Sequence, residues 1–212
     1  MINNKDKQLT LKEQSQLEEL LSGNGMETCG IKPDEIKHLA WLGAQVPNDG
    51  YIVEVGSHRG KSICAITLGA LSTGNTPAKI HAVDLWLKGA GRTFSHQHSE
   101  ETWRIFNEQL TSMGVADYVT PVMNSSEKAA ERRKNPIHLL FIDGNHKETF
   151  VRMDYRLWYT FIPSGGYIAF HDYSPKFPGV KKVVDTEVIP SGLWEDFGHV
   201  GSIWSAKRNT SF

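Results

Sequence analysis

The sequence predicts an α/β fold, a doubly wound and mostly parallel sheet with helices on both faces. Three observations carry this. Short β-rich runs alternate with helical stretches through five β-α units between Tyr51 and Val188. The run Ile137-His138-Leu139-Leu140-Phe141-Ile142 is nearly all apolar, as expected of a strand covered on both faces. Gly56 and Gly60 follow the first β run, where a strand-to-helix turn needs backbone freedom.

Taken in order, Leu9, Leu11, Leu17, Leu20 and Leu21 stand among polar residues and predict a short amphipathic helix. Ser22-Gly23-Asn24-Gly25 ends it. Residues 1–30 thus read as a helical arm, packed on the domain or on a second subunit, and 31–212 as the domain itself. A helix follows Pro33, with Ile36, Leu39, Ala40, Gly43 and Val46 on its apolar face, and Pro47-Asn48-Asp49-Gly50 stops it. Strands are expected at Tyr51–Val55, Lys79–Asp84, Tyr118–Met123, Ile137–Ile142 and Tyr167–Phe170. Helices are expected at Lys61–Leu71, Glu100–Met113, Ser126–Lys134, Lys147–Phe161 and Val180–Val188. In the fourth of these, Phe150, Val151, Asp154, Leu157, Trp158 and Phe161 recur at helical spacing. The tail, Trp194–Val200 and Ser202–Ala206 around Gly201, reads as a closing pair of strands, the last antiparallel.

Composition bounds the function. Of 212 residues, 39 % are hydrophobic and 22 % charged, a soluble globular balance. Lys and Arg number 23 against 24 Asp and Glu, a net charge of −1, which argues against a nucleic-acid or anionic-membrane binder. No apolar run approaches the ~18–20 residues of a membrane span, and the first 21 residues lack a signal-peptide centre. Two cysteines, Cys29 and Cys64, form no CxxC, so a reducing cytoplasm is expected.

In such sheets ligands bind beyond the carboxyl ends of the strands. There the first strand is followed by Gly56-Ser57-His58-Arg59-Gly60-Lys61-Ser62, which is neither a Walker loop nor a G-x-G-x-x-G fingerprint. Asp84 ends the second strand, where a carboxylate suits the hydroxyls of a ribose; Trp86 beside it serves equally as a wall for a flat ring or as core. The fourth strand leads into Asp143-Gly144-Asn145-His146, and the fifth into His171-Asp172-Tyr173. Two adjacent strands thus each deliver an Asp and a His to one rim, a set that could hold Mg²⁺ or another divalent ion. The competing role for Asp143 or Asn145 is capping of the following helix. His96-Gln97-His98 reads as surface loop, His38, His81 and His138 as packing or locally bonded residues, and Cys64 as core. No G-x-S-x-G elbow is present, which speaks against a serine hydrolase.

These segments, Val53 to Ser62, His81 to Trp86, Phe141 to His146 and Pro163 to Tyr173, resemble the Rossmann-like S-adenosylmethionine-dependent methyltransferases. The likeness is greatest to the small O-methyltransferases, whose fold is shared by catechol O-methyltransferase and antibiotic-sugar methyltransferases, and it spans roughly residues 30 to 207. It implies a seven-stranded sheet with an antiparallel last strand. By position it implies that Glu54, Gly56, Ser57, Gly60 and Ser62 frame the methionine part of the cofactor. Asp84 would bind the ribose, with Leu85 and Trp86 beside the adenosine. Asn124, Ser125 and Ser126 would edge the adenine, and Asp143 would lie near the cofactor's amino group or a metal. In metal-dependent relatives the ligands fall at positions matching Asp143 and Asp172, with His171 or Tyr173 adjacent. The catalytic Lys of the catechol-type enzymes is replaced here by His146.

The resulting expectation is methyl transfer from S-adenosylmethionine to a small-molecule hydroxyl, with His146 or His171 as general base and a divalent ion assisting at Asp143, Asp172 and His171. The loop from Leu87 to Glu101, with Gly89, Gly91 and His96, is expected to contact the acceptor, and the arm to wall the site or mediate a homodimer. The alternatives are a nucleotide-dependent oxidoreductase, against which the missing G-x-G-x-x-G speaks, and a non-catalytic protein that keeps the cofactor site.

Overall fold

The computed structural model describes residues 30–74, 79–89 and 100–210. The expected arm helix, Cys29, His96-Gln97-His98 and most of the loop after Leu87 lie outside the described residues. Helix α1 (Pro33–Ala44) precedes strand β1 (Tyr51–Val55), and then α2 (Lys61–Ser72) and β2 (Lys79–Asp84) follow. A 3-10 turn, Trp86–Gly89, precedes α3 (Glu100–Ser112) and β3 (Val119–Met123). Next come α4 (Ser126–Glu131), β4 (Leu139–Ile142), α5 (Glu148–Trp158), β5 (Tyr167–Phe170), α6 (Pro178–Val183), β6 (Trp194–Val200) and β7 (Ile203–Arg208).

The seven strands form one sheet in the order β3-β2-β1-β4-β5-β7-β6. The first five are mutually parallel, and β7 runs antiparallel between β5 and β6. This is the expected doubly wound sheet with a reversed last strand. Alternation explains the two layers. Ile52, Leu139 and Phe141 point to a core with residues of α1, α2 and α3, while Val53, Leu140 and Ile142 point to a core with residues of α4, α5 and α6. Every residue of β4 is buried, which is why its sequence is so uniformly apolar.

Several expected helices come out shorter, and that expected over Lys147–Phe161 runs from Glu148 to Trp158 before a 3-10 turn over Tyr159–Phe161. The helix from Ser126 ends at Glu131, and that from Pro178 ends at Val183, where the chain widens into a π turn over Val184–Val188. Ile189-Pro190-Ser191 then turns the chain into β6. None of the described helices is long and apolar enough to cross a membrane.

Helices α1 and α2 approach closely because small residues meet at the crossing. A β-carbon on Gly69 would fall 1.8 Å from the Ala40 carbonyl oxygen, and one on Gly43 would fall 2.0 Å from that of Ile66. Backbone atoms cannot swing aside as a side-chain tip can. We predict that Gly69→Ala lowers the free energy of unfolding by about 1–3 kcal/mol in urea titrations, whereas Gly30→Ala, which meets nothing within 4 Å, leaves it unchanged.

Candidate active site

The register sets the strand ends level. Val55 lies opposite Val83 on β2 and Ile142 on β4, and Ile142 lies opposite Phe170 on β5. The residues that follow, Gly56, Asp84, Asp143 and His171, therefore share one rim.

The turn after β1 is built by two left-handed glycines. Gly56 has φ +94°, and a β-carbon there would fall 2.3 Å from the Asp143 carbonyl oxygen, so the first and fourth strand loops touch backbone to backbone. Gly60, at φ +85°, starts α2, and the Phe106 ring packs at the place its β-carbon would take. Asp84 braces this turn. Its Oδ2 accepts the His58 amide N–H at 2.8 Å, and its Oδ1 accepts the Leu85 amide N–H at 2.6 Å. Trp86 corrects one expectation. Its ring is wholly buried against Trp103 and Phe106, and its indole N–H donates to the His58 carbonyl at 2.8 Å. It supports the loop from beneath and has no exposed face to offer as the wall of a binding site.

Glu54, on β1, is fully buried. The Ser62 hydroxyl donates to its Oε1, and Ser57 faces the same carboxyl. Burial pushes the Glu54 carboxyl up to about 8, against the pull of the two serines. Ser125 caps α4 by accepting the Lys128 amide N–H, and the Ser126 hydroxyl accepts the Trp158 indole N–H at 2.8 Å.

At the β4–β5 end the two Asp–His pairs do converge, but in unequal roles. His171 is buried. Its Nδ1 lies 3.0 Å from Asp143 Oδ1 and 3.5 Å from Asp172 Oδ2, and its Nε2 faces Glu35 Oε2 at 3.7 Å. Burial works to lower its pKa, yet the three carboxylates overcome this and push it up to about 12. Held as an imidazolium among these carboxylates, His171 would offer no lone pair to a proton or a metal, and it stands outside the group of described residues that could hold an ion. Asp172 stands at φ +59°, a left-handed turn that aims its carboxylate away from the strand. There its Oδ2 meets His146 Nε2 at 2.8 Å, and the two histidines hold the carboxyl well below the usual range despite burial. His146 is partly exposed and its ring packs on Phe177 at 4.5 Å. One ligand atom from each of Asp143, His146 and Asp172 lies within 4.8 Å of the others, so His146 takes the place expected for His171 in a metal-binding set. Neither Asp143 nor Asn145 caps α5, whose N-cap Lys147 has no side-chain cap bond; Asn145 Oδ1 accepts the Lys147 amide N–H at 2.9 Å in the turn before the helix.

Two residues of this region escape sequence reasoning. Glu35, on α1, reaches the site from the far helix layer. Its Oε1 accepts from the Ser202 amide and hydroxyl at 2.5 and 2.8 Å, and its Oε2 accepts the Lys32 amide N–H at 2.7 Å. Burial raises its pKa, but these bonds and His171 outweigh that and lower it to about 2. The only sequence signal is a carboxylate beside Ile36 on the apolar side of a helix. Asp154 is the other, and it stood in the predicted apolar stripe of α5. His38, His81 and His138 make packing or local contacts, as expected. His38 bonds Ser205 at 2.9 Å, His81 meets Arg133 at 3.3 Å, and His138 accepts the Tyr51 amide N–H at 3.2 Å.

Comparison with known proteins agrees with this architecture. Residues 53–173 match the family described as "Methyltransferase domain". An O-methyltransferase from Bacillus cereus, solved in complex with SAH, superposes with a TM-score of 0.63 at 16 % identity, over 92 % of this chain and 91 % of that one. A putative O-methyltransferase from Klebsiella pneumoniae gives 0.66, also at 16 % identity, over 92 % and 90 %. An uncharacterised protein of Acanthamoeba polyphaga mimivirus is 45 % identical over 56 residues, 24 % of this chain, and the match spans a quarter of that relative's length. The chain belongs to the methyltransferase-domain family. Its fold is that of the class I, Rossmann-like methyltransferases.

Two outcomes test the electrostatics. In the folded protein Glu54 stays protonated up to about pH 8, whereas unfolded it ionises near 4.5. Between those values the fold holds more protons than the unfolded chain, so stability falls as pH rises through that window. At pH 8.5 Glu54→Gln should therefore be more stable than the wild type, by about 1–3 kcal/mol, with the gap closing towards pH 4.5 in urea titrations. His171→Asn removes the one cation among three buried carboxylates and should cost about 3–5 kcal/mol at neutral pH, read as an earlier urea midpoint.

Proposed function

We propose that this protein transfers a methyl group from S-adenosylmethionine to the hydroxyl oxygen of a small molecule. The observation that carries the reading is the His146–Asp172 pair, exposed to the rim beside Asp143 and next to the Gly56–Gly60 turn. The bound sulfonium supplies an activated methyl. What remains for the chain is to hold the donor, align the acceptor and take its proton. The acidic residues Asp84 and Asp143 at this rim suit a cationic donor. Asp84 is already fixed by backbone amides, so it meets the ribose hydroxyls without reorganising.

His146 is the base in this reading. With its Nε2–H donated to Asp172, its lone pair lies on Nδ1, and the Asp172 carboxylate stabilises the imidazolium formed when Nδ1 takes the acceptor's proton. His171 keeps Asp143 and Asp172 in place from behind. Two carboxylates and an imidazole also fit a divalent cation; in that second reading Asp143, His146 and Asp172 would hold it, His146 serving as a ligand and not as the base, and its charge would lower the pKa of an acceptor hydroxyl. The near-neutral net charge supports a small acceptor over a nucleic acid.

Transfer of labelled methyl from S-adenosylmethionine to a panel of phenols and sugars tests this. His146→Ala should lower kcat by about 10²–10⁴-fold, with the affinity for S-adenosylhomocysteine unchanged. Loss of activity in EDTA and its return with Mg²⁺ would mark the cation as part of the site. Full turnover by His146→Ala would exclude the base assignment.

A further inference from the structure

His146 stands on the loop after β4 with 40 % of its side chain exposed. Its Nε2 meets Asp172 Oδ2 at 2.8 Å. A single bond fixes one point of a ring and leaves the ring free to swivel about it. A partly exposed group keeps one productive geometry only where packing also locks its rotamer. The chain after β5 supplies that second hold. From Asp172 it turns twice: the Ser174 amide donates to the Asp172 carbonyl at 2.8 Å, and the Phe177 amide to the Ser174 carbonyl at 3.0 Å. These turns bring the Phe177 ring onto that of His146, at 4.5 Å between centroids and a tilt of 43°. The stretch from Asp172 to Phe177 therefore grips the imidazole twice, through a carboxylate and through a ring. Phe177 is itself anchored, because it packs against the core shared by α4, α5 and α6.

The backbone that carries His146 is held as well. A β-carbon on Gly179 would come within 2.6 Å of the Glu148 amide nitrogen, and closer still to the His146 carbonyl oxygen. The first turn of α6 thus lies directly on the backbone of residues 146–148, an approach that a glycine permits. Gly179 is not among the glycines of positive φ, so its need here is for space alone. Lys182 closes the same junction by pairing with Glu148 at 2.9 Å, and Val180 is buried beside it.

We propose that Phe177 and Gly179 are positioning residues that act through His146: the Phe177 ring fixes the plane of the imidazole, and the bare Cα of Gly179 lets α6 set the place of the loop that carries it. The proposal rests on the reading that His146 takes the acceptor's proton. Neither residue acts on donor or acceptor directly.

Methyl transfer to the phenol and sugar panel, in single and double variants, tests it. Phe177→Leu keeps the apolar bulk and removes the ring. It should lower kcat by about tenfold or more, with the acceptor KM and the affinity for S-adenosylhomocysteine within about twofold of the wild type. Phe177→Tyr keeps the ring and should hold kcat within about twofold. Gly179→Ala, an independent variant on the same argument, should lower kcat in the same way. A residue that acts through His146 loses its effect once His146 is gone. In a His146→Ala background, Phe177→Leu should therefore change the residual kcat by less than about twofold. Urea titrations at the assay temperature show that each variant compared is folded. An unchanged kcat in both Phe177→Leu and Gly179→Ala, or equal losses with and without His146, would overturn the proposal and leave the two residues as packing. Full turnover by His146→Ala, or no transfer by the wild type, would overturn the underlying reading, and the proposal with it.

Discussion

A single buried ring, the imidazole of His171, holds together parts of the chain that are far apart in sequence. It meets Asp143 after β4, Asp172 beside it after β5, and Glu35 from α1 on the opposite helix layer. Glu35 in turn takes both the amide and the hydroxyl of Ser202, at the turn between β6 and β7. Gly201 must be small there, because a β-carbon would fall 2.3 Å from a Glu35 oxygen. Charge explains why the knot is worth its desolvation. Three carboxylates drawn from water repel one another, and one cation placed among them turns repulsion into attraction. The consequence reaches the surface: with Asp143 and Asp172 fixed from behind, Asp172 is free to orient His146 at the rim.

The site is also where the fold departs from its own packing rules. Glu54 and Asp154 are carboxyls in positions that β1 and α5 would otherwise fill with apolar side chains. Asp172 and His58 adopt left-handed backbone conformations. Each such departure costs stability and is sustained by a well-packed surround. Glu54, Asp172 and His58 lie at the carboxyl ends of the parallel strands, where ligands bind in this topology.

How far the sequence reveals this follows from the physics of each signal. The β4 strand was legible because burial on both faces leaves an unbroken apolar run, and the Tyr167–Phe170 strand falls where its flanking glycines and polar residues put it. The rim residues were legible because strand ends in this topology are where ligands bind, so Asp84, Asp143 and Asp172 stood out by position. Helix ends were less so: the widening after Val183 carries no sequence mark, since Val184 and Val188 suit either winding. The roles of the two histidines were not legible at all. His171 directly follows β5 and His146 stands four residues beyond β4, and nothing in that spacing shows that His171 turns inward, towards a carboxylate more than a hundred residues earlier. Glu35 and Trp86 belong to the same class, for their contacts depend on which layer each element joins.

The central claim is that a nucleoside-bearing methyl donor lies across the Gly56–Gly60 turn with its sugar at Asp84. A crystal structure of the protein grown with S-adenosylhomocysteine addresses this most directly. The account predicts density for the compound over that turn, with the ribose hydroxyls at Asp84 and the sulfur facing the rim where His146 stands. Density for the nucleoside elsewhere on the sheet, or an Asp84 carboxylate that makes no contact with the sugar, would contradict it.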